Sequence, residues 1–318
     1  MEREIAKKFK QVKKLIGRTP LALITYTFCG EKRVCYAKLE WYNLTGSIKD
    51  RVAYQMLYDA YQVGAISPST TVHEITSGNM GISLAGMCNL LGNKCKIIMP
   101  KTMSQERQKL ITQYGAELVL VDDFTQGFKL CEELEKQGKF FAHQFDNKSN
   151  FKAHFLTTGK EIFAQLKSKP LNNLVAGVGT SGTLMGAGQF LKQKTNCNVV
   201  GIEPETARIL SGIKPYNHHK IQGLSDQTLP SLYNGKIVDK VIPISDTDAI
   251  CMSQKLCKKL SLGVGISSGA NFLGCVLAGD NSATVFADDN KKYLSTDLCK
   301  QATSPLVDSI DLINIEVL

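Results

Sequence analysis

Short apolar segments typical of β-strands alternate with longer segments of helical spacing along most of the chain. The first series has predicted strands at 34–39, 71–75, 94–99, 117–121 and 140–143 and predicted helices at 51–60, 81–90, 104–114 and 125–137. The second has predicted helices at 157–166, 184–192, 246–260 and 271–277 and predicted strands at 173–176, 198–202, 240–243 and 283–286. This alternation is typical of βαβ units. We therefore predict an α/β protein with two lobes, each a twisted, mostly parallel sheet flanked by helices.

Composition narrows the class of protein. The chain has 318 residues, of which 43% are hydrophobic and 21% charged, as in ordinary soluble globular proteins. Neither a bilayer-length apolar run nor a secretion signal is present, so we predict a cytoplasmic protein with no membrane partner. The formal charge of +9 is dispersed among acidic residues, and no nucleic-acid-binding motif accompanies it. Ten cysteines without a C-x-x-C pair predict reduced thiols and no metal site.

A glycine-rich turn follows the predicted strand that begins at Asn173, in the sequence NLVAGVGTSGT. Backbone N–H groups in a turn that opens a helix bind phosphate well. Gly177, Gly179 and Gly182 also satisfy the dinucleotide pattern G-x-G-x-x-G, and Glu203 lies at a strand end farther along. A nicotinamide-dependent dehydrogenase is therefore an alternative, although this motif lies in mid-chain.

Two further polar turns precede helices. The sequence TSGNMG at 76–81 offers hydroxyl, amide and backbone donors suited to a carboxylate, or else a simple helix cap. Lys49, in NLTGSIKDR, lies beside a third helix start, where nearby donors and burial both favour the neutral amine. A neutral lysine forms a Schiff base with an aldehyde. A reactive lysine, a phosphate site and a carboxylate site are together what pyridoxal phosphate (PLP) requires for amino-acid chemistry.

The chain resembles the cysteine synthase and cystathionine β-synthase family, which are fold type II PLP enzymes with a tryptophan synthase β-like fold. The similarity runs from IGRTPL at 16–21 to YLST at 293–296. Between them lie LEWYNLTGSIKDR, EITSGNMGISLA, MPKTMSQERQKLITQYGAELVLV, HQFDNKSNFKAHFLTTGKEI, GVGTSGTLMG, GIEPE, HKIQGL and GISSGA. The resemblance implies a smaller, mobile lobe at 40–148, a larger cofactor-binding lobe formed by 1–39 and 149–318, and a homodimer.

The resemblance also implies roles for individual residues. Lys49 would bind PLP covalently and then act as a general base, Asn79 would bond the 3′ oxygen, and Ser267 would face the pyridine nitrogen. The phosphate would lie in a cradle formed by Gly179, Thr180, Ser181, Gly182 and Thr183. The substrate and its carboxylate would be bound by Thr76, Ser77, Asn79, Met80, Gln144 and Gly223. Met80 replaces the usual threonine of the family, so only its backbone N–H could serve.

The implied reaction is β-replacement on a three-carbon amino acid such as O-acetylserine, cysteine or serine, with sulfide entering or leaving. Cysteine synthesis is the default direction. The alternative is a cysteine lyase that releases hydrogen sulfide while water or another thiol takes its place. Asp226, in GLSDQT, stands where the cysteine synthases carry a small apolar residue. It would activate an oxygen nucleophile or protonate an oxygen leaving group, or else merely cap its loop. An inactive relative that only binds a partner is disfavoured, because Lys49, Asn79 and Ser267 are all present.

Overall fold

The computed structural model describes residues 1–224 and 228–318, which form two sheets flanked by helices. The strands are β1 (Leu21–Phe28), β2 (Glu31–Leu39), β3 (Val72–Ile75), β4 (Cys95–Pro100), β5 (Glu117–Val121), β6 (Phe140–Phe141), β7 (Asn173–Gly177), β8 (Asn198–Pro204), β9 (Lys240–Ile244), β10 (Ser282–Phe286) and β11 (Ile310–Val317). The helices are α1 (Arg3–Val12), α2 (Lys49–Gln62), α3 (Asn79–Leu91), α4 (Gln105–Gln113), α5 (Phe124–Lys136), α6 (Lys148–Ala153), α7 (Gly159–Leu166), α8 (Gly182–Lys192), α9 (Asp246–Leu260), α10 (Ile266–Ala278) and α11 (Pro305–Asp308).

The larger sheet has seven strands in the order β11-β1-β2-β10-β7-β8-β9. In this sheet β2, β10, β7, β8 and β9 are parallel to one another. At the other edge, β1 pairs antiparallel with both β2 and β11. The smaller sheet has the order β5-β4-β3-β6 and is parallel throughout. The predicted α/β architecture is therefore confirmed. The lobe boundaries at 40 and 148 stay a prediction.

The central strands consist mostly of consecutive apolar residues because they are buried. Every residue of β3 and the first four residues of β7 are buried, as expected for parallel strands covered by helices on both faces. The largest apolar cluster packs α9 and α10 against the seven-stranded sheet. A second cluster packs α1, α2 and α3 with the four-stranded sheet. The two sheets are thus rigid supports for the loops at their strand ends.

The sequence interpretation was wrong at the helix starts and at one edge of the larger sheet. Helices α2, α3, α8 and α10 begin two to five residues earlier than predicted, so the polar turns themselves open these helices. Strands β1 and β11 were not predicted. Ser104, a residue type that often caps a helix and the first residue of the helix predicted at 104–114, precedes α4, but its hydroxyl donates to the carbonyl of Lys292 (2.8 Å) and makes no cap hydrogen bond.

Within residues 1–224 and 228–318, no helix has both the length and the apolar character that a bilayer span requires. The same residues contain no cluster of His, Cys, Asp and Glu side chains able to hold a metal ion.

Candidate active site

A cavity of about 1260 Å³ opens beyond the carboxyl ends of β3 and β7 and beside the starts of α2, α3, α8 and α10. Crevices at such strand ends are the usual ligand sites of α/β proteins. All residues predicted for the PLP and substrate site within the described ranges line this cavity: Lys49, Thr76, Ser77, Asn79, Met80, Gln144, Gly179, Thr180, Ser181, Gly182, Thr183, Gly223 and Ser267. Asp226 lies outside the described residues.

Lys49 is the first residue of α2, and its half-buried side chain reaches the cavity. Burial lowers the pKa of its amine to about 8, while the carboxylate of Asp288 acts in the opposite direction. The sequence predicted that burial and the donors at the helix start both favour the neutral amine; the opposing carboxylate of Asp288 was not predicted. At pH 7 roughly a tenth of the amine is neutral, compared with less than a thousandth at an ordinary lysine. The result is an amine with usable nucleophilic character.

The glycine-rich turn between β7 and α8 is packed too tightly for side chains at two positions. A Cβ atom at Gly179 would lie 2.1 Å from the carbonyl oxygen of Gly223. A Cβ atom at Gly182 would lie 1.9 Å from Oδ1 of Asn150. Ser181 at the helix start has φ +69°, a left-handed conformation that turns the backbone sharply. Glycine is therefore required here for close packing as well as for access to a ligand.

Two residues that were not predicted from the sequence contact the hydroxyls of this turn. Asn150 donates to Oγ1 of Thr180 (2.8 Å), and Nε2 of His154 lies 3.3 Å from Oγ1 of Thr183. Burial, together with the positive charge of Lys49, keeps the pKa of the His154 imidazole well below its usual range. Both residues lie in the segment NKSNFKAH, which was quoted as a family match but given no role. The hydroxyl of Ser181 is buried without a partner among the described residues.

The turn from Thr76 to Met80 joins β3 to α3 and faces the cavity from the smaller sheet. Oγ1 of Thr76 accepts a hydrogen bond from the backbone N–H of Gly78 (3.0 Å). Gly78 has φ +149°, and a Cβ atom there would lie 2.1 Å from Cδ of Arg107. The side chain of Met80 is 1% exposed and packs into the apolar cluster around α2 and α3. Its side chain therefore belongs to the core, and only its backbone can face a ligand.

Asn79 and Gln144 complete this side of the cavity. Nδ2 of Asn79 donates to Oδ2 of Asp288 (2.7 Å), and its Oδ1 is buried without a partner in the described part of the chain. Nε2 of Gln144 donates to the carbonyl of Ile75 (2.8 Å), and its backbone N–H donates to the carboxyl of Glu74 (3.1 Å). Burial raises the pKa of Glu74 to about 8, against the two backbone hydrogen bonds that it accepts.

Glu203 does not offer the free carboxylate that a dinucleotide site needs to bind the ribose. Its side chain is buried, and its carboxylate accepts hydrogen bonds from the hydroxyl of Ser211 and from the backbone N–H groups of Leu210 (2.7 Å) and Ser211 (3.2 Å). It does not line the cavity. A carboxylate committed in this way cannot bind a ribose, so the dehydrogenase interpretation is wrong.

The described residues fit PLP. The amine of Lys49 suits an aldehyde, and the start of α8 with the unpartnered hydroxyl of Ser181 suits a phosphate. The buried Oδ1 of Asn79, which has no partner among the described residues, is a second polar atom suited to contact with a ligand. Ser267, 8% exposed at the start of α10, lines the same cavity.

Comparisons with known proteins agree with this fit. Residues 12–287 match the family described as pyridoxal-phosphate dependent enzymes. A cysteine synthase of Staphylococcus aureus is 39% identical over 298 residues, which cover 90% of this chain and 96% of that protein. A hydrogen sulfide-producing enzyme from Fusobacterium nucleatum has a TM-score of 0.94 and 40% identity, covering 98% of this chain and 99% of that one. An O-acetylserine sulfhydrylase, isoform 3, from Entamoeba histolytica has a TM-score of 0.85 and 34% identity, covering 94% of each chain.

The matched region includes the Lys49 segment, the Asn79 turn, the glycine-rich turn and Ser267, which are the features that define the cavity. The expected PLP cofactor and the expected fold type II architecture are confirmed. The chain belongs to the pyridoxal-phosphate dependent enzyme family, as a cysteine synthase-like member with the type II fold.

Proposed function

We propose that this enzyme replaces or eliminates the substituent at Cβ of a three-carbon amino acid, with sulfide entering or leaving, and that cysteine synthesis is its default direction. One observation carries the proposal: the Lys49 amine, the Asn79 turn and the glycine-rich turn line a single cavity. Similarity to the Staphylococcus aureus cysteine synthase supports cysteine synthesis, and similarity to the Entamoeba histolytica O-acetylserine sulfhydrylase supports O-acetylserine and sulfide as the substrates.

In this proposal each wall of the cavity holds one part of the cofactor. Lys49 would form the covalent bond, Asn79 would bond the 3′ oxygen, and Ser267 would face the pyridine nitrogen. The phosphate would be held by Gly179, Thr180, Ser181, Gly182 and Thr183. When bound, the cofactor withdraws electrons from Cα of an attached amino acid, which permits loss of the Cβ substituent. A neutral serine at the ring nitrogen makes this withdrawal moderate, because it supplies no aspartate charge.

The substrate carboxylate is assigned to the turn between β3 and α3. The hydroxyls of Thr76 and Ser77, the backbone N–H groups of Asn79 and Met80, and the amide of Gln144 supply hydrogen-bond donors at the start of a helix, where the helix dipole also favours an anion. Gly223 borders the substrate from the opposite side, next to the glycine-rich turn. These donors orient the substrate so that its Cα proton faces a base.

Lys49 would be that base, because its amine, when not bound to the cofactor, would take the Cα proton. A pKa near 8 serves this role, since the amine then binds and releases a proton close to neutral pH.

The second candidate is a cysteine lyase that releases hydrogen sulfide. Two observations favour it: the TM-score of 0.94 to the hydrogen sulfide-producing enzyme of Fusobacterium nucleatum, and the aspartate at position 226. We propose that Asp226 removes a proton from water, which then adds in place of the departing sulfur and gives serine. With another thiol as nucleophile, the product would be a thioether.

One pair of assays separates the two candidates. The purified enzyme is incubated either with cysteine alone or with O-acetylserine and sulfide, and the sulfide and amino-acid products are identified. Serine with sulfide from cysteine alone supports the lyase, whereas cysteine formed only from O-acetylserine supports the synthase. In Asp226→Asn, selective loss of the cysteine reaction supports a role for Asp226 with water. Equal losses in both assays would remove that role.

We also propose that the enzyme acts as a cytoplasmic homodimer with a mobile lobe at 40–148. The two sheets divide the strands between that range and the rest of the chain. All ten cysteines are free thiols, as is usual for a reducing compartment. Light scattering coupled to size exclusion tests the dimer, for which a monomer mass of 34.9 kDa would be the contrary result.

A further inference from the structure

Asp288 is a buried acid at the junction between the two sheets, two residues beyond the end of β10 and next to Ala287 of the cavity wall. Its side chain has no exposed surface. Neither the sequence analysis nor the proposed function gives it a role. A buried carboxylate is costly unless other groups compensate for its lost hydration, so its surroundings indicate what it does.

Three side chains approach a single oxygen of Asp288, Oδ2. Nδ2 of Asn79 donates to it (2.7 Å), the hydroxyl of Tyr293 donates to it (2.8 Å), and Nη2 of Arg107 lies 3.7 Å away. The guanidinium of Arg107 also lies over the Tyr293 ring, with Cζ 4.5 Å from the ring centroid. Asn79 and Arg107 belong to α3 and α4, whereas Asp288 and Tyr293 follow β10. The contacts therefore join the two halves of the molecule beside the cavity.

The bond to Asp288 fixes the orientation of the Asn79 amide. With Nδ2 tied to the carboxylate, Oδ1 is held on the other side of the amide group, and it has no partner among the described residues. The amide also has a second N–H, which remains for a ligand. Asn79 is the residue assigned to the cofactor's 3′ oxygen, so the group that orients it helps to set the geometry of the cofactor.

The same carboxylate also acts electrostatically on Lys49. Burial lowers the pKa of Lys49, and Asp288 is the group that raises it. The other charged or titratable groups around this pair are Arg107 and Tyr293, which contact Asp288, the buried Lys292, on which Asp288 acts electrostatically, and His154, whose pKa lies well below its usual range. Arg107 and Lys292 are basic and His154 is neutral, so none of them replaces the negative charge.

The glycine at position 265 leaves room for the side chain of Asp288, whose Oδ1 is buried without a partner among the described residues. A Cβ atom at Gly265 would lie 2.1 Å from Oδ1 of Asp288, and the Gly265 backbone N–H donates to the Asp288 carbonyl (3.2 Å). Only glycine fits at that position. Resting on the proposed function, we propose that Asp288 is a positioning residue of the active site, which orients Asn79 toward the cofactor and places a negative charge near the Lys49 nitrogen.

The test compares Asp288→Asn with Asp289→Asn as the matched control. The Asp289 carboxylate is 18% exposed and lies 3.6 Å from Lys291, so its loss removes the same charge one residue away. Both variants are loaded with PLP, and the visible absorbance of the bound cofactor is measured between pH 5 and 11. The dissociation constant for PLP is measured in parallel by titration.

In Asp288→Asn we expect the midpoint of the absorbance titration to fall by about one pH unit, because a nearby carboxylate stabilises the protonated nitrogen of Lys49. We expect the PLP dissociation constant to rise roughly tenfold in Asp288→Ala, which removes the acceptor that orients Asn79, because the amide oxygen in Asp288→Asn can still accept that hydrogen bond. Asp289→Asn should match the wild type in both measurements. An unchanged midpoint in Asp288→Asn, or an unchanged PLP dissociation constant in Asp288→Ala, would overturn the proposal, as would a lower melting temperature with no shift in the midpoint.

Two features keep the test decisive. In Asp288→Ser the new side chain is smaller, accepts a hydrogen bond and lacks the charge, so this variant should show the same fall in the midpoint if Asp288→Asn does not fold. Neither the absorbance titration nor the PLP titration requires catalytic turnover. An enzyme whose wild type shows the bound-cofactor spectrum but no reaction with cysteine or O-acetylserine would refute the proposed function while leaving the inference on Asp288 open to the same measurement.

Discussion

Substitution of Gly179 by alanine tests whether the glycine-rich turn is the phosphate site. The added Cβ atom would lie 2.1 Å from the carbonyl oxygen of Gly223, whereas real Cβ atoms essentially never approach within 3.0 Å. The turn and the Gly223 segment must therefore separate by at least about 0.9 Å. Both contact atoms lie on or next to backbone, so no flexible side chain can absorb the displacement.

The cost follows from this geometry. Overpacking of a tight site destabilises it by about 1–3 kcal/mol. If the turn moves and the strain falls on phosphate binding, the PLP dissociation constant rises by roughly 5- to 150-fold, since about 1.4 kcal/mol corresponds to a factor of ten. The dissociation constant is measured from the visible absorbance of bound PLP. Thermal melting without PLP separates a binding defect from a folding defect.

Gly235→Ala is the matched control, because the new Cβ atom there would make only an ordinary contact of 3.7 Å with Tyr233. We expect this control to bind PLP as the wild type does. The assignment of the phosphate to the turn from Gly179 to Thr183 is refuted if Gly179→Ala also binds PLP with wild-type affinity. It is equally refuted if the loss of affinity is the same in both variants.

Two further predictions concern stability. The pKa of Glu74 is raised from 4.5 to about 8 in the folded enzyme, so between these pH values the folded protein keeps a proton that the unfolded chain has lost. The free energy of unfolding should therefore fall as pH rises from about 5 to 8. Glu74→Gln should flatten this decline in thermal melts, and an unchanged slope would count against it. Arg51→Ala should lower the free energy of unfolding by about 3–5 kcal/mol in urea, because it leaves the buried carboxylate of Glu40, now 2.7 Å away, without its cation. Arg33→Ala, which breaks an exposed pair, should cost less than about 1 kcal/mol, and equal losses would refute the distinction.

The sequence was most informative where the chemistry is local. The glycine-rich turn, the TSGNMG turn and Lys49 each lie within one short segment that joins sheet to helix, so spacing alone indicated a phosphate site, a carboxylate site and an amine. What local spacing did not indicate was that these turns begin the helices. Glycines and small polar residues, which usually mark a turn, lie at or next to the first residues of α2, α3, α8 and α10, so the sequence did not reveal where these helices begin.

The supporting residues could not be found in this way, because their partners are distant in sequence. Asn150 contacts Thr180, and Asp288 contacts Asn79 across more than two hundred residues. Glu203 shows the opposite failure. It had the spacing of a dinucleotide ligand, but hydrogen bonds with the segment at 210–211 already occupy its carboxylate. Motif spacing does not reveal whether a side chain is free.

The central claim is a covalent bond between the amine of Lys49 and PLP. The PLP-loaded enzyme is reduced with borohydride, digested, and its peptides are mapped by mass spectrometry. We expect the reduced cofactor on the peptide that contains Lys49, and no labelled peptide in Lys49→Ala. Label on any other lysine, or an unlabelled Lys49 in an enzyme that retains the cofactor, would contradict the account.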